Sequence, residues 1–231
     1  DVLKDISLTI HAGEVLGIAG VEGNGQAELV EAIMGMRDPS SGRIWLEDVD
    51  ISDWHTREIR EAGVGFIPED RHRHALLLDA PLWENAMLGH QTQKPNVRGL
   101  WVNASGAKAD TERIVAAYDV RTPSINVTAH SLSGGNQQKL IIGREMSHAP
   151  RLLVAAHPTR GVDVGAQSAI WGHIKEARRA GLGVLLISAD LDELIGLSDT
   201  IRVILRGQLS GEFDPDVVTA EDLGSAMTGA V

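Results

Sequence analysis

The sequence predicts an α/β domain with a mainly parallel sheet, because apolar runs of strand length alternate with stretches of helix length. Three runs are apolar almost throughout, as in strands buried within a sheet: 15–19, 151–156 and 183–188. Between the last two lies 164–180, which has the apolar spacing of a long amphipathic helix. Strand, helix and strand in this order form the unit from which parallel sheets are built.

The predicted elements continue from the N-terminus to the C-terminus. In chain order they are a half-buried strand at 3–10, a buried strand at 15–19, a helix at 27–34, a strand at 42–49, a helix at 56–62, a buried strand at 64–67, helices at 107–118 and 135–147, a strand at 151–156, a helix at 164–180, a strand at 183–188, a helix at 191–197 and a strand at 200–205.

The middle of the chain differs from both ends, since prolines and polar stretches interrupt its helix-like runs. We therefore predict one domain over 1–231, in which 1–70 and 151–231 form the α/β core and 71–150 is a helical insert. The chain begins at Asp1 without a Met and enters a strand-like pattern at once, so we expect a domain cut from a longer polypeptide.

Composition excludes several classes of protein. The 231 residues contain no Cys, which excludes disulfides and thiolate metal sites and is compatible with a reducing cytoplasm. The net charge of −11 opposes a general nucleic-acid surface and adsorption to anionic lipid. No apolar run reaches the roughly 20 residues that span a bilayer, so we predict no direct insertion into a membrane.

The octapeptide LSGGNQQK at 132–139 opens a helix-like segment. It resembles the signature motif of ATP-binding cassette (ABC) ATPases, which binds the γ-phosphate of an ATP held by a different cassette. The serine offers a hydroxyl, the glycines let backbone N–H groups approach the phosphate, and the helix points its positive dipole end at the anion. By this resemblance, the residues that act on a partner's nucleotide are Leu132, Ser133, Gly134, Gly135 and Gln137.

The segment GVEGNGQA at 20–27 lies between a buried strand and a helix, which is the setting of a phosphate-binding loop. Its glycines match the Walker A pattern Gly-x-x-x-x-Gly-Lys-Ser/Thr, but Gln26 and Ala27 stand at the lysine and hydroxyl positions. Alone, the spacing would also fit a tight turn; beside the signature motif it resembles a degenerate Walker A loop. The nucleotide-contacting residues that the resemblance implies are Gly20, Gly23, Asn24, Gly25, Gln26, Ala27 and Glu69.

Other segments that resemble motifs of this family lack the side chains that bind metal or act in catalysis. The run 152–159 resembles a Walker B strand, but Ala156 and His157 stand where an Asp serves Mg²⁺ and a Glu polarises water. A buried strand ending in a turn explains Ala156 equally well, and a neutral His157 could in principle accept a proton at pH 7. Ala189 occupies the place of the switch-loop His. We predict no intact catalytic residue and no metal site in this chain.

Two loops keep polar residues. TRGVD at 159–163 resembles the D-loop, which crosses the dimer interface, and Asp163 equally suits the N-cap of the next helix. Glu69 replaces the Gln of a Q-loop-like segment, for which a simple acidic turn is the alternative. The adjacent RHRH at 71–74 is expected to be a solvated polar loop, because its Arg charges oppose a metal cation.

The resemblance covers nearly the whole chain. It implies a P-loop NTPase (RecA-like) core, an N-terminal antiparallel β subdomain and an inserted helical signature subdomain. NQQK at 136–139 and PTRGVDVGA at 158–166 are similar to ATPases of bacterial importers for simple sugars and nucleosides. In that family one polypeptide usually carries two fused cassettes, and the second often departs from the consensus at its catalytic positions. This chain resembles that second cassette.

The resemblance further implies a division of labour between two nucleotide sites. This chain would supply its signature to ATP in a partner cassette, where Mg²⁺ would mainly bind, while its own site is catalytically weak. The implied partners are a second cassette, fused or separate, and transmembrane permease subunits at the inner face of the cell membrane, with no nucleic acid. The alternatives are an autonomous ABC ATPase, which the substitutions oppose, and a non-transport ABC protein acting on nucleic acid or ribosomes, which the acidic charge opposes.

Overall fold

The computed structural model describes residues 2–229, so Asp1, Ala230 and Val231 at the ends of the predicted domain lie outside the described residues. Along the described chain the strands are β1 (Val15–Ala19), β2 (Trp45–Leu46), β3 (Val49–Asp50), β4 (Val64–Ile67), β5 (Val97–Arg98), β6 (Trp101–Val102), β7 (Leu152–Ala156), β8 (Gly183–Ser188), β9 (Thr200–Leu205) and β10 (Gln208–Leu209). The helices are α1 (Gln26–Ile33), α2 (Thr56–Glu61), α3 (Arg71–His74), α4 (Leu82–Ala86), α5 (Ala104–Ala117), α6 (Gly134–Met146), α7 (Val164–Arg179), α8 (Leu191–Leu197) and α9 (Ala220–Thr228).

A six-stranded sheet forms the centre of the molecule, in the order β10-β9-β1-β8-β7-β4. The strands are parallel except β10, which turns back beside β9 at one edge. Leu16 on β1 is aligned with Leu185 on β8 and with Thr200 on β9. All residues of β1 and β8 are buried, which explains why their sequences are apolar throughout and do not alternate. The predicted α/β fold with a mainly parallel sheet is confirmed.

The segment between β4 and β7 is mainly helical. It contains α3 to α6 and the β5–β6 hairpin, and α6 is buried along most of its length. Leu140, Ile141 and Ile142 of α6 belong to the same apolar cluster as Leu153 of β7, so this segment packs on the sheet. The division of the chain at residues 70 and 150 stays a prediction. Among residues 2–229, no helix combines the length and apolar character needed to cross a membrane.

The first predicted strand, at 3–10, is wrong. Its alternating burial is present, since Ile6, Leu8 and Ile10 are half-buried against the core while the residues between them are exposed. However, residues 3–10 join no strand ladder, and Asp5 has a positive φ of 50°, which interrupts an extended run. Alternating apolar and polar residues indicate that one face of a segment is buried. They do not indicate that a neighbouring strand is available to pair with it.

The predicted strand at 42–49 is also wrong, because the chain turns back within it. The strands β2 and β3 pair antiparallel, with Trp45 opposite Asp50 and Leu46 opposite Val49. Glu47, in the turn between them, has a φ of 53°, a left-handed conformation that a Glu does not signal in the sequence. The antiparallel pairing expected in the N-terminal part is therefore present as this short hairpin.

The remaining predicted elements are present, with shifts at some ends. The helix predicted at 107–118 begins earlier, at Ala104, because the Asn103 side chain caps it and accepts the backbone N–H of Gly106 at 3.2 Å. The strands predicted at 64–67, 183–188 and 200–205 have the bounds expected for them.

A buried ion cluster ties the helical segment to the sheet. The Glu145 carboxylate on α6 accepts hydrogen bonds from Arg60 Nη2 at 2.9 and 3.1 Å, Arg144 Nε at 2.7 Å and the Phe66 N–H at 3.0 Å. Burial alone would raise the pKa of Glu145, but Arg144 and Arg60 hold that pKa below its ordinary value. Arg144 also donates to the Ala75 carbonyl at 2.8 Å. The cluster therefore connects α6 to α2, to β4 and to the residue that follows α3.

We expect Glu145→Gln to lower the free energy of unfolding by about 3 kcal/mol, because Arg60 and Arg144 would stay buried without their counter-charge. Urea unfolding at pH 7 measures this loss. A lowered carboxyl pKa stabilises the fold only above the unfolded value of about 4.3. The difference in the free energy of unfolding between the wild type and the variant should therefore become smaller as the pH falls through the lowered pKa.

The matched control is Glu61→Gln, since Glu61 lies on the surface of α2 and pairs with the exposed Arg57. It should leave the free energy of unfolding nearly unchanged. Equal losses in the two variants would show that the buried cluster contributes no more than a surface pair.

Candidate functional site

The loops that follow β1, β4 and β7 line one cleft at the carboxyl edge of the sheet, with a volume of about 860 Å³. Ala189, which follows β8, is exposed and is not part of the cleft wall. The predicted site residues on that wall are Gln26, Ala27, Glu69, Ala156 and His157.

The glycine loop between β1 and α1 is closed by its own Gln26. The Gln26 Nε2 donates to the Val21 carbonyl at 2.9 Å, and its Oε1 accepts the backbone N–H of Asn24 at 3.1 Å. The carboxamide lies so close to Gly20 that a Cβ at that glycine would collide with Nε2. A backbone N–H that a phosphate would use is therefore already bonded within the chain.

The shape of the loop is fixed from outside by the turn between β9 and β10. Asn24 accepts the backbone N–H of Arg206 on its side-chain Oδ1 and that of Gly207 on its carbonyl, both at 2.9 Å. Gly23 and Gly25 have φ values of 87° and 115°, conformations that favour glycine. The loop thus has two glycines in conformations that favour glycine immediately before α1 begins at Gln26.

The residues at this site do not fit Mg²⁺. Ala27 lies in the first turn of α1 and Ala156 ends β7, so methyl groups stand where the metal would need oxygen ligands. Across residues 2–229, no group of three or more His, Cys, Asp or Glu side chains surrounds a possible metal position. We derive no metal-dependent step at this cleft.

His157 follows β7 in a left-handed conformation with a φ of 49°, and its backbone N–H donates to the Ile187 carbonyl at 2.8 Å. Burial lowers the pKa of His157, an effect that the Glu69 carboxylate opposes only in part. His157 is therefore neutral at pH 7 and supplies no positive charge for a phosphate. Glu69 forms an ion pair with Arg160, so its carboxylate is engaged within the chain.

The signature segment faces solvent at its first residues and the interior further on. Ser133 is exposed and caps α6, with its Oγ accepting the backbone N–H of Asn136 at 3.4 Å. Gly134 is half-exposed, whereas Leu132 and Gly135 are buried. Ser133 is therefore the residue at the start of α6 that is most open to solvent.

Gln137 is buried, and both ends of its amide are engaged. Its Nε2 donates to the Ala129 carbonyl at 3.0 Å, while Oε1 accepts from Arg71 Nε at 3.3 Å and lies 2.9 Å from His72 Nε2. The structure thus places this predicted signature residue behind the exposed Ser133, where it joins α6 to α3.

The polar loop predicted at 71–74 is wrong, because these residues form α3. The carboxylate of Asp70 caps this helix and accepts the backbone N–H groups of His72 and Arg73 at 3.0 and 3.1 Å. Four residues are too few for a helical periodicity, so the capping Asp was the available signal. Arg71 and Arg160, which the sequence analysis did not assign to the site, meet here: Arg71 Nη1 donates to the Arg160 carbonyl at 2.9 Å.

Asp163 caps α7, and its Oδ1 accepts the Ala166 N–H at 2.9 Å. Backbone hydrogen bonds, that from Ala166 first, lower the pKa of Asp163. The N-cap role is confirmed, and the D-loop role stays a prediction.

These landmarks recur in a known protein family. A family model described as ABC transporter matches residues 3–160, which include the glycine loop, the signature and β7. The chain belongs to the ABC transporter family. The glycine loop and the segment 132–139 therefore lie within an ABC cassette.

Curated ABC relatives of similar sequence are import proteins by name. The chain is 46% identical over 231 residues to the guanosine import ATP-binding protein NupO of Bacillus subtilis (strain 168), covering 100% of this chain and 45% of that protein. It is 42% identical over 227 residues to the nucleoside import ATP-binding protein NupA of Lactococcus lactis subsp. cremoris (strain MG1363), covering 98% of this chain and 45% of that protein. The chain thus spans about half the length of these relatives.

Solved structures of ABC cassettes share the fold. The ADP conformation of an ATP-binding cassette of an ABC transporter has a TM-score of 0.77 and 22% identity, covering 98% of this chain and 89% of that one. A nucleotide-free cassette has a TM-score of 0.79 and 23% identity, with coverage of 98% and 89%. At these identities the likeness supports the cassette fold and carries no assignment of substrate.

We expect His157→Asn to make the fold less sensitive to acid. A histidine pKa lowered on folding stabilises the native state above the unfolded value of about 6.5, and this contribution is lost as the pH falls. Asn tolerates the left-handed φ and has no such proton equilibrium. The free energy of urea unfolding should fall less between pH 7.5 and 5.5 in this variant than in the wild type. The control His130→Asn, at an exposed position, should keep the wild-type pH dependence.

Proposed function

We propose that this chain is the second, degenerate cassette of a two-cassette ATPase that drives import of a simple sugar or nucleoside. The observation that carries the proposal is the contrast between two phosphate-binding elements in one chain. Ser133 and Gly134 open α6 toward solvent, whereas Gln26 closes the glycine loop on itself. In this proposal the signature acts in trans on ATP held by a partner cassette.

The relatives support the import class. Similar proteins are named for the import of guanosine, nucleosides and ribose. The alignments cover 45%, 45% and 44% of those proteins, which is about the share that one of two fused cassettes would occupy. We therefore propose a second cassette in the same polypeptide or assembly, together with permease subunits that hold it at the inner face of the membrane.

The chain's own nucleotide site has lost most of its transition-state contacts. Gln26 carries no charge for the β- and γ-phosphates, Ala27 and Ala156 cannot hold Mg²⁺, and neutral His157 replaces the carboxylate that polarises water. Each lost contact worth about 1.4 kcal/mol lowers the rate tenfold. Several such losses together make turnover at this site negligible, so ATP hydrolysis is assigned to the partner's site.

Two other functions remain as alternatives. An autonomous ABC ATPase requires turnover at the substituted site, which the neutral Gln26 and the two alanines oppose. A non-transport ABC protein acting on nucleic acid or ribosomes requires a basic surface, which the net charge of −11 opposes. A permease encoded beside this chain would favour the importer over both.

In the complete transporter, Ser133→Arg or Gly135→Asp should abolish ATPase activity and transport. Arg at the exposed Ser133 would block the approach of the γ-phosphate. An Asp at the buried Gly135 would press on Ala166 and lie beside the Asp163 carboxylate, which would displace the signature from the start of α7. Gln26→Ala in the same assembly should change the rate little, because the partner site carries the turnover. Reconstituted complexes and a phosphate-release assay measure each rate. If the signature variants stay active while Gln26→Ala does not, the assignment of working and silent sites is reversed.

In the purified chain, Gln26→Lys with Ala27→Thr should raise affinity for Mg²⁺-ATP. The change releases the Asn24 N–H from the Gln26 carboxamide and supplies a charge and a hydroxyl ligand. Calorimetry should show binding at least tenfold tighter than in the wild type. Hydrolysis should stay near background in both, since Ala156 and His157 remain. An unchanged affinity would mean that the loop is not shaped for phosphate.

A further inference from the structure

The side chain of Arg71 joins two segments that are distant in sequence. Its Nε donates to the Oε1 of Gln137, in the signature helix α6, at 3.3 Å. Its Nη1 donates to the carbonyl of Arg160, in the turn between β7 and α7, at 2.9 Å. One guanidinium therefore connects the signature to the turn that resembles a D-loop.

The packing around the guanidinium is close. A Cβ added at Gly134 would lie 2.8 Å from Arg71 Nη2, and one at Gly161 would lie 3.6 Å from Nη1. Gly134 also faces the Gly161 carbonyl, with an added Cβ only 3.2 Å away. The guanidinium thus lies against both glycines, and the first turn of α6 has little freedom to move relative to the turn at 159–162.

Neighbouring contacts hold the backbone of α3, from which the Arg71 side chain extends. Asp70 caps α3 through two backbone N–H groups, and His72 Nε2 lies 2.9 Å from the same Gln137 oxygen. The ion pair of Glu69 with Arg160 joins the segment before α3 to the turn at 159–162. The Arg160 and Glu69 side chains are 60% and 36% exposed, so solvent screens this pair and its contribution is small.

We propose that Arg71 is a positioning residue for the in-trans reaction. It holds the exposed Ser133–Gly134 turn at a fixed angle to the turn at 159–162. In this way the signature is presented in a geometry suited to a partner's γ-phosphate, although the chain's own cleft lacks the groups that would let a nucleotide organise it. This inference rests on the proposed in-trans function of the signature.

The test uses the complete transporter with Arg71→Leu, which keeps an apolar stem and removes every donor. We expect kcat for ATP to fall at least tenfold with little change in KM, because the contact aligns the signature for the reaction and does not hold the partner's ATP. Hydrogen exchange of the 134–137 amides should become faster while the urea midpoint of the assembly is unchanged. Arg71→Lys, which keeps the charge and one donor, should recover part of kcat.

The control is Arg98→Leu, which removes a guanidinium from the same helical segment. Arg98 lies on β5, is exposed and is not among the residues that line the cleft. This variant should keep wild-type kcat and wild-type exchange at 134–137.

The outcomes separate this inference from the proposed function. Full kcat in Arg71→Leu beside an inactive Ser133→Arg would overturn the role of Arg71 and leave the in-trans signature standing. Activity in both variants would overturn the proposed function itself. A fall in kcat with unchanged exchange at 134–137 would overturn positioning as the cause. If Arg71→Leu fails to assemble, Arg71→Lys decides: full activity with only one donor overturns the proposal, and a partial loss with faster exchange supports it.

Discussion

Parallel pairing of β1, β4, β7 and β8 is the constraint on which the rest of the structure depends. Because these strands point the same way, the loops after them meet at one edge of the sheet, and segments far apart in sequence become neighbours. The glycine loop, the turn after β7 and the entry to α3 are brought together by this pairing alone. The pairing requires strands buried on both faces, which is why the runs at 15–19 and 183–188 contain no charged residue.

The cleft at this edge lies beside the glycine loop, and three of the polar side chains on its wall are neutral or bonded within the chain. Gln26 fills the loop with a neutral carboxamide, Glu69 is paired with Arg160, and His157 is held neutral by burial. None of these three side chains offers a positive charge to an anionic ligand. At the signature the opposite holds, since Ser133 is solvent-exposed. The same chain thus combines a cleft whose polar groups are bonded within the chain or neutral with a signature serine that faces solvent.

Sequence reasoning succeeded where one local pattern determines structure. The strands at 64–67 and 200–205 were predicted with their bounds, and the N-cap role of Asp163 follows from its residue type beside a helix. Sequence reasoning failed where the structure of a segment depends on its contacts with residues elsewhere in the chain. The alternating segment 3–10 has the pattern of a strand without a backbone to pair with.

The contacts of Arg71 were equally invisible in the sequence. Its partners lie 66 and 89 residues away, and only the sheet topology brings them within reach. The motif spacing predicted which segments carry phosphate chemistry. It did not show that Gln26 closes its own loop, because rotamer and hydrogen-bond choice depend on the folded backbone.

The bonds from Arg206 and Gly207 to Asn24 have a consequence for the order of folding. The contact between Arg206 and Asn24 spans 182 residues, so the shape of the glycine loop depends on a hairpin made much later in the chain. During synthesis β1 and α1 emerge before β9 and β10, and the bonds that fix the loop between them can form only after β9 and β10 have been made and docked. The glycine loop therefore reaches its final conformation later than the strand that precedes it and the helix that follows it.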